Sequence, residues 1–207
     1  ELKNPLASII AQTENYDAKD EDDALAISKI KEQAVRMNKL ISEISEAAVV
    51  DNDLVTKARE KFDLSTTVNE ILEHYIDNNE HPDLQLSSEI QKNIVLLGLP
   101  DRIGQVLVNV LDNAISFCKP KGSIKVELHK RWRRKPILIV EDSGPGVSEG
   151  SRELIFERFY TSRSGGAEIK NSSGLGLFIC KQIIEAHGGR ISVGGSSLGG
   201  ARFEVSF

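Results

Sequence analysis

Asn109 and Asn113 stand four residues apart in a stretch that reads as a helix, so both amides leave the same helix face. Amide oxygens are hard ligands suited to Mg²⁺, an ion that keeps several waters and shares the phosphate oxygens of a nucleotide. Two asparagines at this spacing also occur by chance in many helices. Further along, Val140-Glu141-Asp142-Ser143-Gly144-Pro145-Gly146-Val147 sets an aspartate at the end of an apolar strand, before a turn whose glycines admit a ligand close to the backbone. A carboxylate at such a sheet edge can accept the amino hydrogen of adenine; the plainer alternative is a strand followed by a turn. Ser173-Gly174-Leu175-Gly176-Leu177 then opens a helix. Its glycines expose backbone N–H groups, and the positive end of the helix dipole favours a polyphosphate. The run is not a Walker loop, because no Gly-Lys-Ser follows, nor a dinucleotide fingerprint, because no strand precedes it.

Mixed strands and helices are expected to carry these groups. Phe62-Asp63-Leu64 reads as a short strand, Ser65 as the cap of a helix through about Asn79, and Leu84 to Ile90 and Asn93 to Leu97 as alternating strands. Pro100 and Asp101 start the asparagine helix, which runs to about Cys118. Ile124 to Lys130 and Pro136 to Glu141 predict a strand hairpin, Gly174 to His187 a helix closed by Gly188-Gly189, and Arg190 to Val193 and Ala201 to Phe207 the last strands. This order predicts a two-layer α/β sandwich. Ser143 to Ser173 is rich in glycine, serine and charge around one aromatic cluster, and a connection that long in a compact domain is usually functional or disordered.

The periodicity of the first residues differs. Ile27, Ile30, Ala34, Met37, Ile41, Ile44 and Ala48 recur in alternating steps of three and four, a seam at coiled-coil spacing. Leu2, Leu6, Ile9 and Thr13 offer a matching stripe. Between them Asn15 to Asp23 reads as the turn of a helical hairpin, with Asp22 or Asp23 as the following cap. A two-helix hairpin does not easily bury both faces alone, so a four-helix bundle in a homodimer is expected; packing on the second domain of the same chain is the alternative. Asp51 to Lys61 is expected to be a linker or the fraying end of the second helix. The domains are therefore placed at 1–60 and 61–207, an α plus α/β organisation.

The 207 residues, 40% of them hydrophobic, suffice for two small cores. With 26 basic against 31 acidic residues the net charge of −5 argues against a dedicated nucleic-acid binder. The basic cluster Lys130-Arg131 and Arg133-Arg134-Lys135, around Trp132, is read as a solvated hairpin tip. Cys118 and Cys180 lack metal-ligand company and read as two small buried side chains in a reducing, cytoplasmic compartment. No apolar run approaches the roughly 20 residues a bilayer crossing needs, and no signal peptide heads the chain, so any membrane part is expected to lie outside it.

Taken in order, these segments resemble the bacterial sensor histidine kinases. Glu1-Leu2-Lys3-Asn4-Pro5-Leu6 is similar to the family's phosphoacceptor motif without its leading histidine. Asn109 and Asn113 match the N box, Asp142, Gly144 and Gly146 the G1 box, Phe156 and Phe159 the F box, and Gly174 and Gly176 the G2 box. Four boxes in order are far more specific than any one. The resemblance implies the ATP-binding fold shared with gyrase and chaperone relatives. Asn109 would hold Mg²⁺, Asn113 contact phosphate or metal, Asp142 read adenine, and Val147, Leu175 and Leu177 border ATP. Ile155-Phe156-Glu157-Arg158-Phe159-Tyr160 falls in the family's lid, which brings Ile155 and Tyr160 to the nucleotide; Arg158, Arg163 and Lys170 are lid cations, with Arg163 favoured for the γ-phosphate. The histidine would attack the γ-phosphorus, with Glu1 orienting its ring or taking its proton, and Asn4 positioning water for dephosphorylation of a response-regulator receiver domain. Without the histidine the chain is expected to bind ATP and not to label itself.

Two departures stand out against the family pattern. Ser116 and Phe117 replace a frequent Lys and Tyr, which removes a phosphate-binding ammonium while leaving Phe117 to stack near the base, and Thr161 replaces an arginine. Tyr160-Thr161-Ser162-Arg163 is similar to the ChvG/ExoS-type branch. Two rivals remain. An ATP-hydrolysing clamp would need a glutamate general base where Asn109 stands. A response-regulator phosphatase or docking dimer would use Asn4 and let ATP set conformation only. His74, His81, His129 and His187 lack the acceptor context, and His187 reads as a helix cap.

Overall fold

The computed structural model describes residues 6, 9–11, 13, 21–78, 83–118, 121–130, 134–161 and 174–207. Leu6, Ile9 to Ala11 and Thr13 are helical, and Leu6 is buried. The first long element is α1, Glu21–Thr56. It takes in Asp22 and Asp23, expected to cap it, and continues through half of the stretch expected to be a linker. One half of the seam is covered, with Ala34 buried, while Ile30, Met37 and Ile44 are exposed. At 100° per residue Val50 and Asp53 project from roughly the opposite side of the helix.

That second side explains why α1 outlasts the sequence expectation. Val50 and Asp53 are buried, and Val50 joins the core of the following domain. The Asp53 carboxylate accepts from the Arg102 guanidinium at 3.0 Å (Nε) and 2.5 Å (Nη2), and Lys57 stands 2.9 Å away. Those two cations, Lys57 first, hold Asp53 below the ordinary carboxylate range. Gln182 donates to Asp51 at 3.0 Å and Arg59 to the Ala186 carbonyl at 2.5 Å. A stripe search finds none of this, because the partners lie on helices far along the chain.

The remaining elements are β1 Glu60–Asp63, α2 Leu64–Asn78, β2 Gln85–Ile90, β3 Val95–Gly98, α3 Pro100–Phe117, β4 Ser123–His129, β5 Ile137–Asp142, α4 Gly176–Ala186, β6 Arg190–Gly195 and β7 Ala201–Ser206, with two single 3-10 turns between β5 and α4. Asp63, not Ser65, caps α2: its carboxylate accepts from the Ser65 and Thr66 N–H groups at 2.8 and 3.4 Å. Ser65 is buried and ties the first turn of α2 to the β2–β3 loop, donating to the Gln91 carbonyl at 2.7 Å and accepting from the Ile94 N–H at 3.0 Å.

β1 and β3 form a two-stranded antiparallel sheet; the main sheet has the order β2-β4-β5-β7-β6. The β4–β5 hairpin is antiparallel as expected, whereas β2 pairs with β4 in parallel, Gln85 opposite Ser123. Along β4, Ile124, Val126 and Leu128 are buried, and Phe203 and Val205 of β7 join them against Ile103, Leu107, Val110, Ile179 and Ile183 of α3 and α4. The alternate residues carry charge, with Lys125 at 2.7 Å from both Glu89 and Glu127. Period-two alternation in the strands and a single apolar stripe on each helix thus give two layers around one core. Pro100 at the first turn of α3, followed by Asp101, suits both the missing N–H and the helix dipole.

Candidate functional site

Three elements converge where β5 ends. Asp142 closes β5, the central strand of the sheet, rather than standing at a sheet edge. Its Oδ1 accepts from the Gly144 N–H at 2.8 Å and the Ala201 N–H at 3.1 Å, and its carbonyl accepts from the Gly200 N–H at 3.1 Å. Both backbone N–H groups that reach the carboxylate go to one oxygen, which leaves Oδ2 for a ligand. Burial raises the Asp142 pKa, and the Ala201 and Gly144 hydrogen bonds counter it in part. The charge of its neighbour is managed separately. Burial alone would raise Glu141, but the Ser197 N–H at 3.0 Å and Arg202 at 3.6 Å carry it below the usual range.

The glycines around Asp142 are forced by contact. Gly144 backs onto the Phe117 carbonyl, where a Cβ would stand at 3.1 Å, and Gly146, at φ +73°, would meet the Gly200 carbonyl at 3.1 Å. Gly200 is tighter still, since its Cβ would lie 2.5 Å from the Gly144 nitrogen and closer to Asp142 Oδ1 and the Asp142 main-chain carbonyl oxygen. Gly200 and Ala201 do not stand out in the sequence as site residues. The available signal was the Gly199-Gly200 pair directly before a strand, which marks close backbone approach as well as a turn.

Asn109, on α3, donates from Nδ2 to the Gly176 carbonyl at 3.3 Å, so the asparagine helix and the first residue of α4 are joined at the site. Asn113 lies one turn on and is half-buried. α4 begins at Gly176, two residues later than expected, because Gly174 takes φ +74° and packs against the Tyr160 carbonyl, where a Cβ would stand at 2.6 Å. The Phe159 N–H donates to the Gly174 carbonyl at 3.2 Å. Leu175 is 2% exposed and belongs to the core, so it supports the rim from beneath; Leu177, Val147 and Ile155 are partly buried beside it.

The two expected aromatic anchors divide. Phe156 is buried edge-on to Phe203 at 6.5 Å, while Phe159 is 57% exposed with φ +61°. Arg158 lies 4.5 Å over the Phe178 ring, and the Tyr160 hydroxyl donates to Ser151 at 3.2 Å. Glu1, Asn4, Arg163 and Lys170 lie outside the described residues, as do Arg131 to Arg133. His187 is a cap, as expected, and more. Its Nδ1 faces the Ile183 carbonyl at 2.7 Å, while Nε2 accepts from the Leu99 N–H at 3.1 Å and so anchors the start of α3. Cys180 is buried, whereas Cys118 is only half-buried.

A buried carboxylate with one oxygen pinned, a backbone that only glycine can supply, and an amide tied to a glycine-opened helix are the features the geometry offers to a ligand. The family model described as "Histidine kinase-, DNA gyrase B-, and HSP90-like ATPase" matches residues 98–207, and that of the "His Kinase A (phospho-acceptor) domain" matches residues 1–52. The chain belongs to the sensor histidine kinase family.

Among its relatives, the chain is 35% identical over 221 residues to the sensor protein ChvG of Rhizobium meliloti (strain 1021), covering 100% of this chain and 38% of that protein. It is 29% identical over 199 residues to the sensor protein SrrB of Staphylococcus aureus (strain MRSA252), covering 93% of this chain and 34% of that one. The chain thus spans less than two fifths of the length of these relatives. Among solved structures, the mycobacterial sensor histidine kinase MprB aligns with a TM-score of 0.62 at 28% identity, over 72% of this chain and 97% of that one. Full-length ShkA aligns with a TM-score of 0.70 at 20% identity, over 99% of this chain and 43% of that one, a likeness of fold. Among the described residues no helix is long and apolar enough to cross a membrane.

Proposed function

We propose that the chain is the catalytic core of a two-component sensor kinase, which binds Mg²⁺-ATP and phosphorylates a histidine standing immediately before Glu1, for transfer to the aspartate of a response regulator. The supporting observations are the bond from Asn109 on α3 to Gly176 at the start of α4 and, at the end of β5, an Asp142 carboxylate with N–H groups on one oxygen only. Asp142 Oδ2 would accept the adenine amino hydrogen. The Gly174-to-Gly176 turn would offer backbone N–H groups to the phosphates, where the N-terminus of α4 favours negative charge.

The donor set fits Mg²⁺, since Asn109 commits its amide nitrogen to Gly176 and turns its oxygen away from that bond, and Asn113 shares its helix face. Asn109 would hold the ion, with Asn113 at the ion or the phosphate; when bound, the ion neutralises phosphate charge during transfer. Phe117, Val147, Ile155, Tyr160 and Leu177 would exclude water around the base and ribose, with Leu175 buttressing them. Glu1 would orient the histidine, Asn4 the water of the reverse reaction, and Arg163 the γ-phosphate.

The exposed half of the α1 seam, Ile30, Met37 and Ile44, supports a homodimer through a four-helix bundle. The proposed domains are a hairpin over 1–60 and the ATP-binding unit over 61–207, in the cytoplasmic portion of an inner-membrane sensor. The decisive experiment is transfer of label from γ-labelled ATP to a chain carrying histidine before Glu1, beside Asn109→Ala. Acid-labile label on the first alone is expected. No label despite tight ATP binding would overturn the kinase reading in favour of a regulator phosphatase.

A further inference from the structure

Glu141 is buried on β5, beside Asp142, and no step of the reaction described above uses it. Successive side chains of a strand leave opposite faces. Asp142 shares its face with Leu138 and Val140, which pack into the core with α3 and α4, so Glu141 lies on the face away from those helices. There it grips the turn between β6 and β7. One carboxylate oxygen accepts from the Ser197 N–H at 3.0 Å, the other from the Ser197 hydroxyl at 3.4 Å, and Arg202 flanks the first at 3.6 Å. A buried carboxylate that takes its donors from one turn ties that turn firmly to its own strand. We propose that Glu141 is a positioning residue for base recognition: its hold on Ser197 fixes the β6–β7 turn so that the Gly200 and Ala201 N–H groups keep Asp142 pinned, with Oδ2 turned to the adenine amino group.

The turn is closed on itself. The Ser196 N–H donates to the Gly200 carbonyl at 2.9 Å, the Gly199 N–H to the Ser196 carbonyl at 3.1 Å and the Leu198 N–H to the Ser196 hydroxyl at 2.9 Å. A turn so closed shifts as a unit, and Gly200 and Ala201 shift with it. Both stand beyond the last β5–β7 pair, Glu141 with Arg202, so that ladder does not set where their N–H groups lie. Their bonds to the Asp142 carbonyl and Oδ1 are both 3.1 Å long. A shift of about 0.5 Å would stretch either to about 3.6 Å, outside hydrogen-bonding range. A carboxylate left with the Gly144 bond alone swings about a broad torsion and no longer offers one oxygen in one direction.

This role rests on Asp142 reading adenine, so the test addresses both. Affinities for Mg²⁺-ATP and for Mg²⁺-purine riboside triphosphate, which lacks only the amino group, are measured by calorimetry, and the readout is their ratio. Glu141→Leu keeps most of the bulk and removes both acceptors. Glu141→Gln keeps an acceptor for the Ser197 N–H and offers an N–H to its hydroxyl; in both, Arg202 retains Glu204 at 3.4 Å. The parent is expected to prefer ATP about 10-fold or more, as a bond to a charged group implies, and Glu141→Leu to bring this within about 3-fold while binding of the analogue changes less than about 2-fold. Glu141→Gln should retain most of the parent's preference.

A merely structural role would weaken both nucleotides alike, leave the ratio unchanged and overturn the proposal. So would a Glu141→Gln chain as unselective as Glu141→Leu, because the grip is a hydrogen bond that glutamine can make. Should Glu141→Leu fail to fold, Ser197→Pro takes its place with the same expectation: Ser197 is the second residue of the turn, a position proline favours, and the change deletes the same N–H. Asp142→Ala separates the two claims. If it abolishes the preference while Glu141→Leu and Ser197→Pro keep it, the positioning role is wrong and the adenine contact stands; if the ratio of Asp142→Ala equals that of the parent, the adenine contact itself falls, and the inference with it.

Discussion

Gly200→Ala tests the geometry of the proposed adenine contact without touching any group that would meet the ligand through a side chain. A Cβ at Gly200 would stand 2.5 Å from the Gly144 nitrogen and nearer to Asp142 Oδ1 and the Asp142 main-chain carbonyl oxygen, against a floor of 3.0 Å for real contacts. At least 0.5 Å must therefore open between β7 and the Asp142 turn, and more at the carboxylate. The Ala201 bond to Oδ1 and the Gly200 bond to the Asp142 carbonyl, both at 3.1 Å, lie across that gap, and the Gly144 bond to Oδ1 flanks it. Hydrogen bonds to a charged group are worth about 1.5–3 kcal/mol, so displacing Asp142 from adenine should weaken ATP binding roughly 10- to 150-fold. Overpacking costs a further 1–3 kcal/mol of stability or so, about 2–12 °C in Tm for a domain near 150 residues. Calorimetric titration with ATP reads the first and thermal denaturation the second. Gly194→Ala is the control, because a Cβ there meets nothing within 4 Å. If Gly200→Ala bound ATP within about 2-fold of the parent, the pinned carboxylate would not be what recognises the base.

His187 should make the domain acid-sensitive. Burial, and to a smaller degree Arg59, lowers its pKa against a partly opposing bond to Ile183, and the neutral ring is what accepts from the Leu99 N–H. The unfolded chain therefore binds the proton more readily, and stability present above the ordinary value of 6.5 is lost as pH falls towards the folded-state pKa; His187→Gln should flatten the Tm-against-pH curve there. Close by, Asp53→Asn removes the charge that faces Arg102, in the first turn of α3, and Lys57. Hydrogen exchange should quicken at Val50 to Thr56 and stay unchanged in β4 and β5; protection left intact in α1 would show that the apolar contact of Val50 suffices alone.

The features legible in the sequence were those carried by neighbouring residues. Asp142 with its glycines, the i, i+4 asparagines and Pro100 before a stripe each declare themselves within one turn or strand. What depended on contacts between distant segments was hidden. Asp53 looked like linker until Arg102, 49 residues away, was beside it. Ser65 looked like a cap, since Ser and Asp both cap well; the strand geometry gave the cap to Asp63 and freed Ser65 to hold the β2–β3 loop. The parallel pairing of β2 with β4 left no local trace, because alternation fixes which face is buried but not which strand lies beside it. Phe159 was grouped with Phe156 by type, yet its backbone, at φ +61°, turns it out of the core.

The two sides of α1 have a mechanical consequence. Ile30, Met37 and Ile44 point one way and Val50 and Asp53 roughly the other, all on one unbroken helix. A rigid rod cannot turn one side without the other. If torque from upstream rotated α1 by about 30°, a domain seated about 10 Å from its axis would be swept through roughly 5 Å. That arc exceeds the tolerance of an in-line transfer, so a twist too small to unpack the bundle would suffice to bring a phosphate into or out of range.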